Sequence, residues 1–237
     1  MTKSALARAR AAPLRASAPR FLREEAGFRY LPASEVPRER IVRLLSECFA
    51  REPMAAALGI AASDLAHLID RFMPECAANG LSAVAVPEGA PETVAAAFLS
   101  RDFKSPLPEG IIEDFPWFLP VAEALMSVGE AYEARHPELA PGHAADLWMV
   151  GTDARFARRG LASRLFRVCT DLARDRGFER CVTECTGHFS QTAARRAGFE
   201  EVARLAYGAF RFEGRPVFAD IPPPHTHLAF YDRKVCP

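Results

Sequence analysis

One short glycine-containing segment joins an apolar run to a helical pattern, and it reads Arg155-Phe156-Ala157-Arg158-Arg159-Gly160-Leu161-Ala162. A helix that begins here would point its unpaired N–H groups and its positive dipole end out of the sheet edge, toward an anion. Gly160 lets a phosphate approach the backbone, Ala162 keeps the first turn narrow, and Arg158 and Arg159 add charge at the rim. The segment therefore predicts a phosphate-binding loop, although a simple turn with solvated arginines fits the loop alone equally well.

Two other kinds of site fit the sequence less well. A nucleotide-binding P-loop is excluded because no Gly-Lys-Ser/Thr triplet ends the segment. Cys181 and Cys185, with His188 close behind, could ligate zinc, but no second pair completes a tetrahedral site. The six cysteines include no Cys-x-x-Cys pair, and most lie in apolar patterns, as free core cysteines of a reducing compartment do. We therefore expect no metal ion.

The overall charge narrows the range of partners. Thirty basic residues balance thirty acidic ones in a chain of 237 residues, so charge gives no support for a nucleic-acid surface. No uninterrupted apolar run reaches the roughly 18 residues that a membrane span needs. We therefore expect a folded cytoplasmic protein, monomer or homodimer, with a small-molecule ligand and without nucleic-acid or membrane partners.

The elements that must position the loop follow from apolar periodicity. Strands are predicted at 28–31, 81–86, 93–99, 147–150, 180–185, 202–212 and 227–235, and helices at 36–48, 58–79, 121–132, 161–172 and 190–196. The proline- and aromatic-rich stretch 105–120 is predicted to be a loop. The candidate anion site thus follows the fourth strand of a mixed α/β chain.

The amino-terminal residues differ in composition from the rest of the chain. Residues 1–23 contain six basic residues, no acidic residue and many alanines and serines. We predict a disordered or targeting tail at 1–26, with an organellar transit peptide as the alternative to a plain tail. A single domain is then expected at 27–237.

With these elements in place, Ala157 to Ala162 resembles the cofactor loop of the GNAT superfamily of N-acetyltransferases, Gln/Arg-x-x-Gly-x-Gly/Ala after the fourth strand. The resemblance covers 147–199 with the typical helix ending Arg-Arg-Ala-Gly-Phe, and extends more loosely over 27–235. It implies an α/β (α+β) fold with a mixed, mostly antiparallel central sheet flanked by helices. The fourth and fifth strands, 147–150 and 180–185, would splay apart.

The resemblance also implies acetyl-CoA as the co-substrate. Its pantetheine arm would pair with the backbone of Met149 and Val150. Its pyrophosphate would lie on the loop formed by Ala157, Arg158, Arg159, Gly160, Leu161 and Ala162. Two positions depart from the family pattern: Ala157 stands where Gln or Arg is usual, and Ala194 stands where many members carry a tyrosine general acid. Binding would then rest on backbone amides, and the acid would come from elsewhere.

Three further stretches resemble the insect dopamine and arylalkylamine N-acetyltransferase branch: Phe-Ala-Arg-Glu-Pro-Met at 49–54, Thr-Gly-His-Phe-Ser-Gln at 186–191 and Pro-His-Thr-His at 224–227. An amine with a pKa of about 10 needs roughly 4 kcal/mol to lose its proton at pH 7, so a base is expected. In that branch the glutamate of the first stretch is the proposed base, and two hydroxyl residues four apart assist. The resemblance therefore implies Glu52, Thr186 and Ser190 as catalytic residues.

Each candidate also has a structural interpretation. Glu52 could simply begin a helix with Pro53 at its first position, and Ser190 could be the N-cap of the next helix. His225 or His227 could relay a proton, although structural histidines are more common. Whether either histidine lies in the site is left open.

The function implied by the resemblance is an acetyl-CoA-dependent N-acetyltransferase. Its substrate would be the primary amine of a small molecule of arylalkylamine or polyamine type, acetylated by direct transfer in a ternary complex. Two alternatives stay open: a protein of this fold that senses acyl-CoA or an amine without turnover, and a protein or peptide N-acetyltransferase. An aromatic substrate would contact the apolar side chains of Phe115, Trp117, Phe118 and Tyr132, unless these residues only pack a loop against the core.

Overall fold

A computed structural model describes residues 22–235. Within them, an eight-stranded sheet carries helices on both faces. Its strands are β1 (Arg23–Glu25), β2 (Phe28–Pro32), β3 (Ala83–Pro87), β4 (Ala96–Asp102), β5 (Ala144–Thr152), β6 (Arg180–Cys185), β7 (Glu200–Ala206) and β8 (His227–Lys234). They lie in the order β1-β2-β3-β4-β5-β6-β8-β7. Only β5 and β6 pair in parallel; the other pairs are antiparallel.

The helices divide between the two faces of this sheet. They are α1 (Arg38–Phe49), α2 (Pro53–Ala57), α3 (Ala62–Ala78), α4 (Ile111–Asp114), α5 (Leu119–Glu133), α6 (Leu161–Asp175) and α7 (His188–Arg196). Leu45, Phe72 and Leu99 belong to one core cluster, on the face covered by α1 and α3. Phe98 and Leu165 belong to the other, on the face covered by α6. Neighbouring residues of β4 thus serve opposite cores, as the period-two geometry of a strand requires.

The gap between β5 and β6 is the feature that the resemblance implied. The two strands pair through only three residue pairs, from Ala144 with Arg180 to Asp146 with Val182. A bulge on the other side of β5, where the register with β4 shifts at Leu99 and Ser100, bends the strand beyond this point. The remaining residues of β5 therefore leave β6, and the predicted GNAT-type sheet with splayed strands is confirmed.

Helix α1 packs tightly against the free part of β5. Gly151 makes this possible, because a Cβ at that position would lie 2.9 Å from Cδ2 of Leu45 and 3.1 Å from Sγ of Cys48. The end of α1 and the turn into α2 are thereby held beside the gap.

The structure corrects the predicted start of the domain. Arg23–Glu25 pairs with β2 and is part of the sheet, not of the tail predicted at 1–26. The turn between the two strands has positive φ angles at Ala26 (55°) and Gly27 (79°), as a tight hairpin of this kind requires. The rest of that tail, residues 1–21, lies outside the described residues.

Four predicted elements have different bounds. The helix predicted at 58–79 is α3 and begins only at Ala62, because the chain turns at Gly59 with φ of 66° after the short helix α2, which was not predicted. The loop predicted at 105–120 contains α4 and a 3-10 turn. Helix α7 begins at His188, two residues before the predicted start. The strand predicted at 202–212 ends at Ala206, where the chain turns into a 3-10 segment at Tyr207–Ala209.

Residues 22–235 contain neither a membrane-spanning helix nor a cluster of metal-ligating side chains. No helix there is long and apolar enough to cross a membrane. No group of three or more histidine, cysteine or acidic side chains in this part of the chain is arranged to hold a metal ion.

Candidate active site

A cavity of about 290 Å³ lies where the β5–β6 gap meets the α1–α2 turn and the start of α7. Its walls include all three predicted catalytic residues and both predicted pantetheine-binding residues: Glu52, Thr186, Ser190, Met149 and Val150. They come from three separate parts of the chain, so the fold brings together residues that the sequence keeps far apart. The volume is close to the lower end of the range for small-molecule pockets.

Glu52 has two different oxygen environments. It is the N-cap of α2, where Oε2 accepts hydrogen bonds from the amides of Met54 (3.0 Å) and Ala55 (3.2 Å), with Pro53 at the first helical position. Oε1 is buried and has no hydrogen-bond partner among the described residues. The capping interpretation is therefore correct for one oxygen, and the other stays available to accept a proton.

Burial raises the pKa of Glu52, while the nearby Thr186 hydroxyl and the amides of Ala55 and Met54 oppose the rise. A carboxylate with a raised pKa accepts a proton more readily near neutral pH than an exposed glutamate does. The position and the environment of Glu52 both suit a general base.

Thr186 and Ser190 reach the cavity in different ways. Thr186 lies beside Glu52, and its carbonyl oxygen accepts a hydrogen bond from the hydroxyl of Tyr207. Ser190 donates to the carbonyl of Gly187 (2.9 Å) and accepts from the amide of Gly187 (3.3 Å). Gly187 is the N-cap of α7, so the interpretation of Ser190 as the N-cap itself is wrong; Ser190 is the third helical residue, and its hydroxyl accepts from the N-cap amide as the N3 side chain of a capping box does.

Only one of the two candidate histidines lines the cavity. His225 does so, and its Nδ1 accepts a hydrogen bond from the backbone amide of His188 (3.1 Å), which places the proton of the neutral ring on Nε2. Burial lowers the pKa of His225, and the neighbouring His188 adds to this effect. His227 lies on β8, with Nδ1 2.8 Å from the Thr226 hydroxyl, and is not part of the cavity wall.

The predicted phosphate loop lies at the start of α6, outside the cavity wall. Gly160 is the N-cap of α6 with φ of 75°, and no side chain caps the first turn of this helix. The backbone amides there are free to meet an anion. Leu161 is buried, so it can contribute only its backbone, whereas residues 157–160 are exposed.

The arginines of this loop have distinct roles. Arg159 stacks over the rings of Phe28 (5.9 Å) and Phe156 (5.7 Å). Arg155 pairs with Asp153, 2.6 Å from Nη2 to Oδ2, so it does not stand in for the side chain missing at position 157. Arg158 has φ of 61° and is exposed. The loop therefore offers backbone amides and the free charge of Arg158 at its rim.

Of the four aromatic residues predicted to contact a substrate, only Phe118 lines the cavity. Tyr132 is buried elsewhere and its hydroxyl accepts a hydrogen bond from Arg180. The cavity instead uses Trp148 and Phe189, and the side chain of Phe189 is largely exposed (72%) at its mouth.

Sequence reasoning also missed a carboxylate in the cavity wall. Glu184 lies on β6, in an apolar strand pattern that signals only burial. The sequence gives one signal for this carboxylate, which is that a charged residue lies inside a strand predicted to be buried.

The comparisons with known proteins agree with this fold. Residues 93–199 match the acetyltransferase (GNAT) family. No curated protein sequence matches the chain. Among solved structures, arylalkylamine N-acetyltransferase 2 from Aedes aegypti is 18% identical with a TM-score of 0.68, over 89% of this chain and 100% of that chain.

Two other solved structures share the fold. The C-terminal condensation domain of Ebony, in complex with beta-alanyl-dopamine, is 15% identical with a TM-score of 0.70, over 88% of this chain and 99% of that chain. The polyamine N-acetyltransferase of Drosophila melanogaster, which catalyses the formation of N-acetylagmatine, is 22% identical with a TM-score of 0.62, over 83% and 94%.

The family match spans the elements that build the gap and the loop. Residues 93–199 include β5, the 157–162 loop, α6 and β6. The resemblance predicted from the sequence is confirmed over residues 93–199, which match the acetyltransferase (GNAT) family, and in the fold of the described residues.

Proposed function

We propose that this protein transfers the acetyl group of acetyl-CoA to the primary amine of a small molecule. The observation that carries the proposal is the meeting of Glu52, Thr186 and Ser190 in one cavity at the open β5–β6 gap. Solved structures of similar fold include enzymes that act on arylalkylamines and on agmatine, and one domain bound to an acylated dopamine. Arylalkylamines and polyamines are therefore the first substrates to try.

The residues at the gap fit acetyl-CoA. Beyond Asp146, β5 has no backbone partner on the side of β6, so Met149 and Val150 can pair with the amides of the pantetheine arm. The uncapped first turn of α6 at Gly160 suits the pyrophosphate, and Arg158 adds charge there. Bound acetyl-CoA supplies the thioester to be attacked.

The cavity residues would then prepare the amine. Glu52 Oε1 takes a proton from the nitrogen, directly or through a water held by the Thr186 hydroxyl. The nitrogen forms a bond to the acetyl carbon, the carbon–sulfur bond breaks, and the leaving thiolate takes up the second proton that the nitrogen gives up as the amide forms. Ala194 is buried and has no proton to donate, and Ser190 is the hydroxyl residue of α7 that lines the cavity.

The experiment is a direct assay of thiol release. The protein is mixed with acetyl-CoA and a panel of tyramine, tryptamine, agmatine, spermidine, amino acids and a peptide. Fast release with a small amine supports the proposal. Release with the peptide alone would favour a peptide acetyltransferase.

The second candidate is a non-catalytic sensor of acyl-CoA or an amine, and Ala157 and Ala194 favour it, since both replace side chains that are usual in the family. Calorimetric binding of CoA and amine without thiol release across the panel would establish that role. A cytoplasmic location and a monomeric or homodimeric state remain predictions, to be checked by fractionation and light scattering.

A further inference from the structure

Two carboxyl groups lie at the apex of the β5–β6 gap, which is the point where the two strands begin to separate. Asp146 of β5 pairs with Val182 in the last residue pair before the strands separate. Glu184 follows Val182 by two residues on β6 and so points to the same face of the sheet. Glu184 lines the cavity, while Asp146 lies behind it and is only 7% exposed.

Within residues 22–235 the two carboxyl groups have few hydrogen-bond donors, since Glu184 accepts only from the backbone amide of its own residue. Oδ1 of Asp146 is buried without a partner, and no side chain of residues 22–235 donates to the carboxylate of Glu184. The nearest cation is Arg101, but its guanidinium donates to the carbonyls of Ser105 and Pro106 and pairs with another carboxylate. Two desolvated acids with so few donors are unfavourable, and a cationic ligand would stabilise them.

Apart from Arg101, the charged groups around the pair in residues 22–235 supply no further cation. From β4 come Arg101 and Asp102, and from α3 comes Glu75, whose Oε1 lies 3.5 Å from Nε of Arg101. On β8, the residue paired with Glu184 is the uncharged Phe230. The charges nearby on β8 and β6, Asp232 and Arg180, neutralise each other. In the cavity wall the other titratable or charged residues are Cys48, Cys185, Arg51, Glu52 and His225.

Burial raises the pKa of Glu184 to about 7, and Arg101 opposes the rise. Burial also raises the pKa of Asp146, with the charge of Glu184 as the second cause. Glu184 therefore ionises near neutral pH.

We infer that Glu184, backed by Asp146, is a counter-ion subsite that receives the substrate as an ammonium ion. The rest of this part of the cavity is apolar, with walls from Leu65, Leu68, Phe118, Val121, Leu125 and Trp148. A ligand that carries one ammonium group on an aromatic or apolar body would match a single acidic subsite inside apolar walls. A polyamine would bring further charges that these walls do not meet.

The inference rests on the proposed function for its choice of ligand, and it selects aromatic monoamines as the substrate class. In this arrangement Glu184 recognises the ammonium form, and Glu52 accepts the proton when the nitrogen turns to the thioester. The two carboxylates thereby have separate roles, binding and deprotonation.

The test measures binding without turnover. Calorimetry at pH 8 compares tyramine with 4-hydroxyphenylethanol, its neutral alcohol counterpart, in the presence of CoA. We expect the wild type to bind tyramine about tenfold or more tightly than the alcohol. Glu184→Gln should lose this preference while its affinity for the alcohol stays unchanged. Glu123→Gln, at an exposed position on α5, is the matched control.

A second measurement does not depend on the folding of the Glu184 variant. In the Glu52→Gln background, tyramine affinity should rise as the pH increases from 6 to 8, because Glu184 ionises, while alcohol affinity stays flat. A preference for tyramine retained in Glu184→Gln, or a flat pH response, would overturn the subsite. Tighter binding of putrescine than of tyramine would overturn the assignment to aromatic monoamines.

These outcomes separate the subsite from the proposed function. An inactive protein whose tyramine affinity depends on Glu184 would defeat the acetyltransferase proposal and leave the subsite standing. An active enzyme whose tyramine affinity is the same in Glu184→Gln would do the reverse.

Discussion

Tyr207 donates its phenolic hydrogen to the carbonyl oxygen of Thr186, and this bond ties the turn after β7 to the residue beside Glu52. Tyr207 is buried, and burial raises its pKa, with the charge of Glu52 as the second cause. The phenol is therefore held in its protonated, donating form. It positions Thr186, and through Thr186 it sets the surroundings of the Glu52 carboxylate.

Tyr207→Phe should lower both stability and activity. The change leaves a buried carbonyl of Thr186 without its donor, which costs about 1–3 kcal/mol of unfolding free energy. Because Thr186 is then free to move, kcat should fall and the acid limb of the pH–rate profile should shift. Denaturant unfolding and a pH–rate profile measure the two effects.

Tyr231→Phe is the matched control for this change. Its hydroxyl also forms hydrogen bonds, with Arg195 (2.7 Å) and Glu201 (3.3 Å), but Tyr231 is not part of the cavity wall. We expect a loss of stability without a change in the pH–rate profile. Equal pH shifts in both variants would show that Tyr207 has no special role in positioning Thr186.

Glu52→Gln should remove the acid limb of the pH–rate profile. A base must be ionised to work, so the wild-type rate falls as the pH drops through the raised pKa of Glu52, above the range of an ordinary glutamate. The loss in kcat at neutral pH should be about 100-fold or more. Stability should change little, because the amide oxygen can still accept from Met54 and Ala55.

The control for Glu52 is Glu47→Gln, an exposed position near the end of α1. It should keep the wild-type rate and profile. An unchanged profile in Glu52→Gln as well would mean that another group takes the proton.

Asp146→Asn should stabilise the protein, and more so at high pH. The folded-state pKa of Asp146 is raised above its unfolded value of about 3.9, so the folded state holds a proton that the unfolded state releases. The wild type therefore loses stability as the pH rises from about 4 through the folded pKa. Asparagine does not titrate, and its amide can donate to Glu184, so we expect a gain of about 1–3 kcal/mol at pH 8 and less at pH 5.

Thermal unfolding of the wild type and Asp146→Asn at these two pH values checks this prediction. Asp220→Asn, an exposed aspartate, should show no pH-dependent difference. If Asp146→Asn were less stable at pH 8, the attraction of the Arg101 charge would outweigh the cost of burying the carboxylate.

Much of this architecture can be predicted from local patterns in the sequence. The apolar periodicity predicts β5, α6 and β6, and the run around Gly160 predicts the turn between the first two. Glu52 and Ser190 carry motif signals because a glutamate before proline, and a serine near a helix start, depend on their immediate neighbours.

The acidic pair was missed because its position depends on a register between distant strands. Asp146 and Glu184 look like isolated charges in two strands, and only the three-residue pairing of β5 with β6 brings them to one apex. Strand β1 was missed because Arg23–Glu25 carries no apolar alternation and gains its conformation from pairing with β2. Such long-range pairing is not encoded in composition or local spacing.

The phosphate loop yields the last prediction, which compares two glycines at the ends of one helix. Gly160 precedes α6 with φ of 75°, and a Cβ there would lie 3.1 Å from Nη1 of Arg164, the end of a flexible side chain. Gly177 follows α6 with φ of 87°, and a Cβ there would meet nothing within 4 Å. Both positions are strained for alanine, so Gly160→Ala and Gly177→Ala should each cost about 1–2 kcal/mol of stability.

Only Gly160→Ala should also weaken the binding of CoA. Its Cβ would project beside the uncapped first turn of α6, where the pyrophosphate must approach the backbone amides. We expect the calorimetric Kd for CoA to rise about tenfold or more in Gly160→Ala and to stay near the wild-type value in Gly177→Ala. Because the backbone penalty is matched, equal CoA affinity in the two variants would place the pyrophosphate away from this loop.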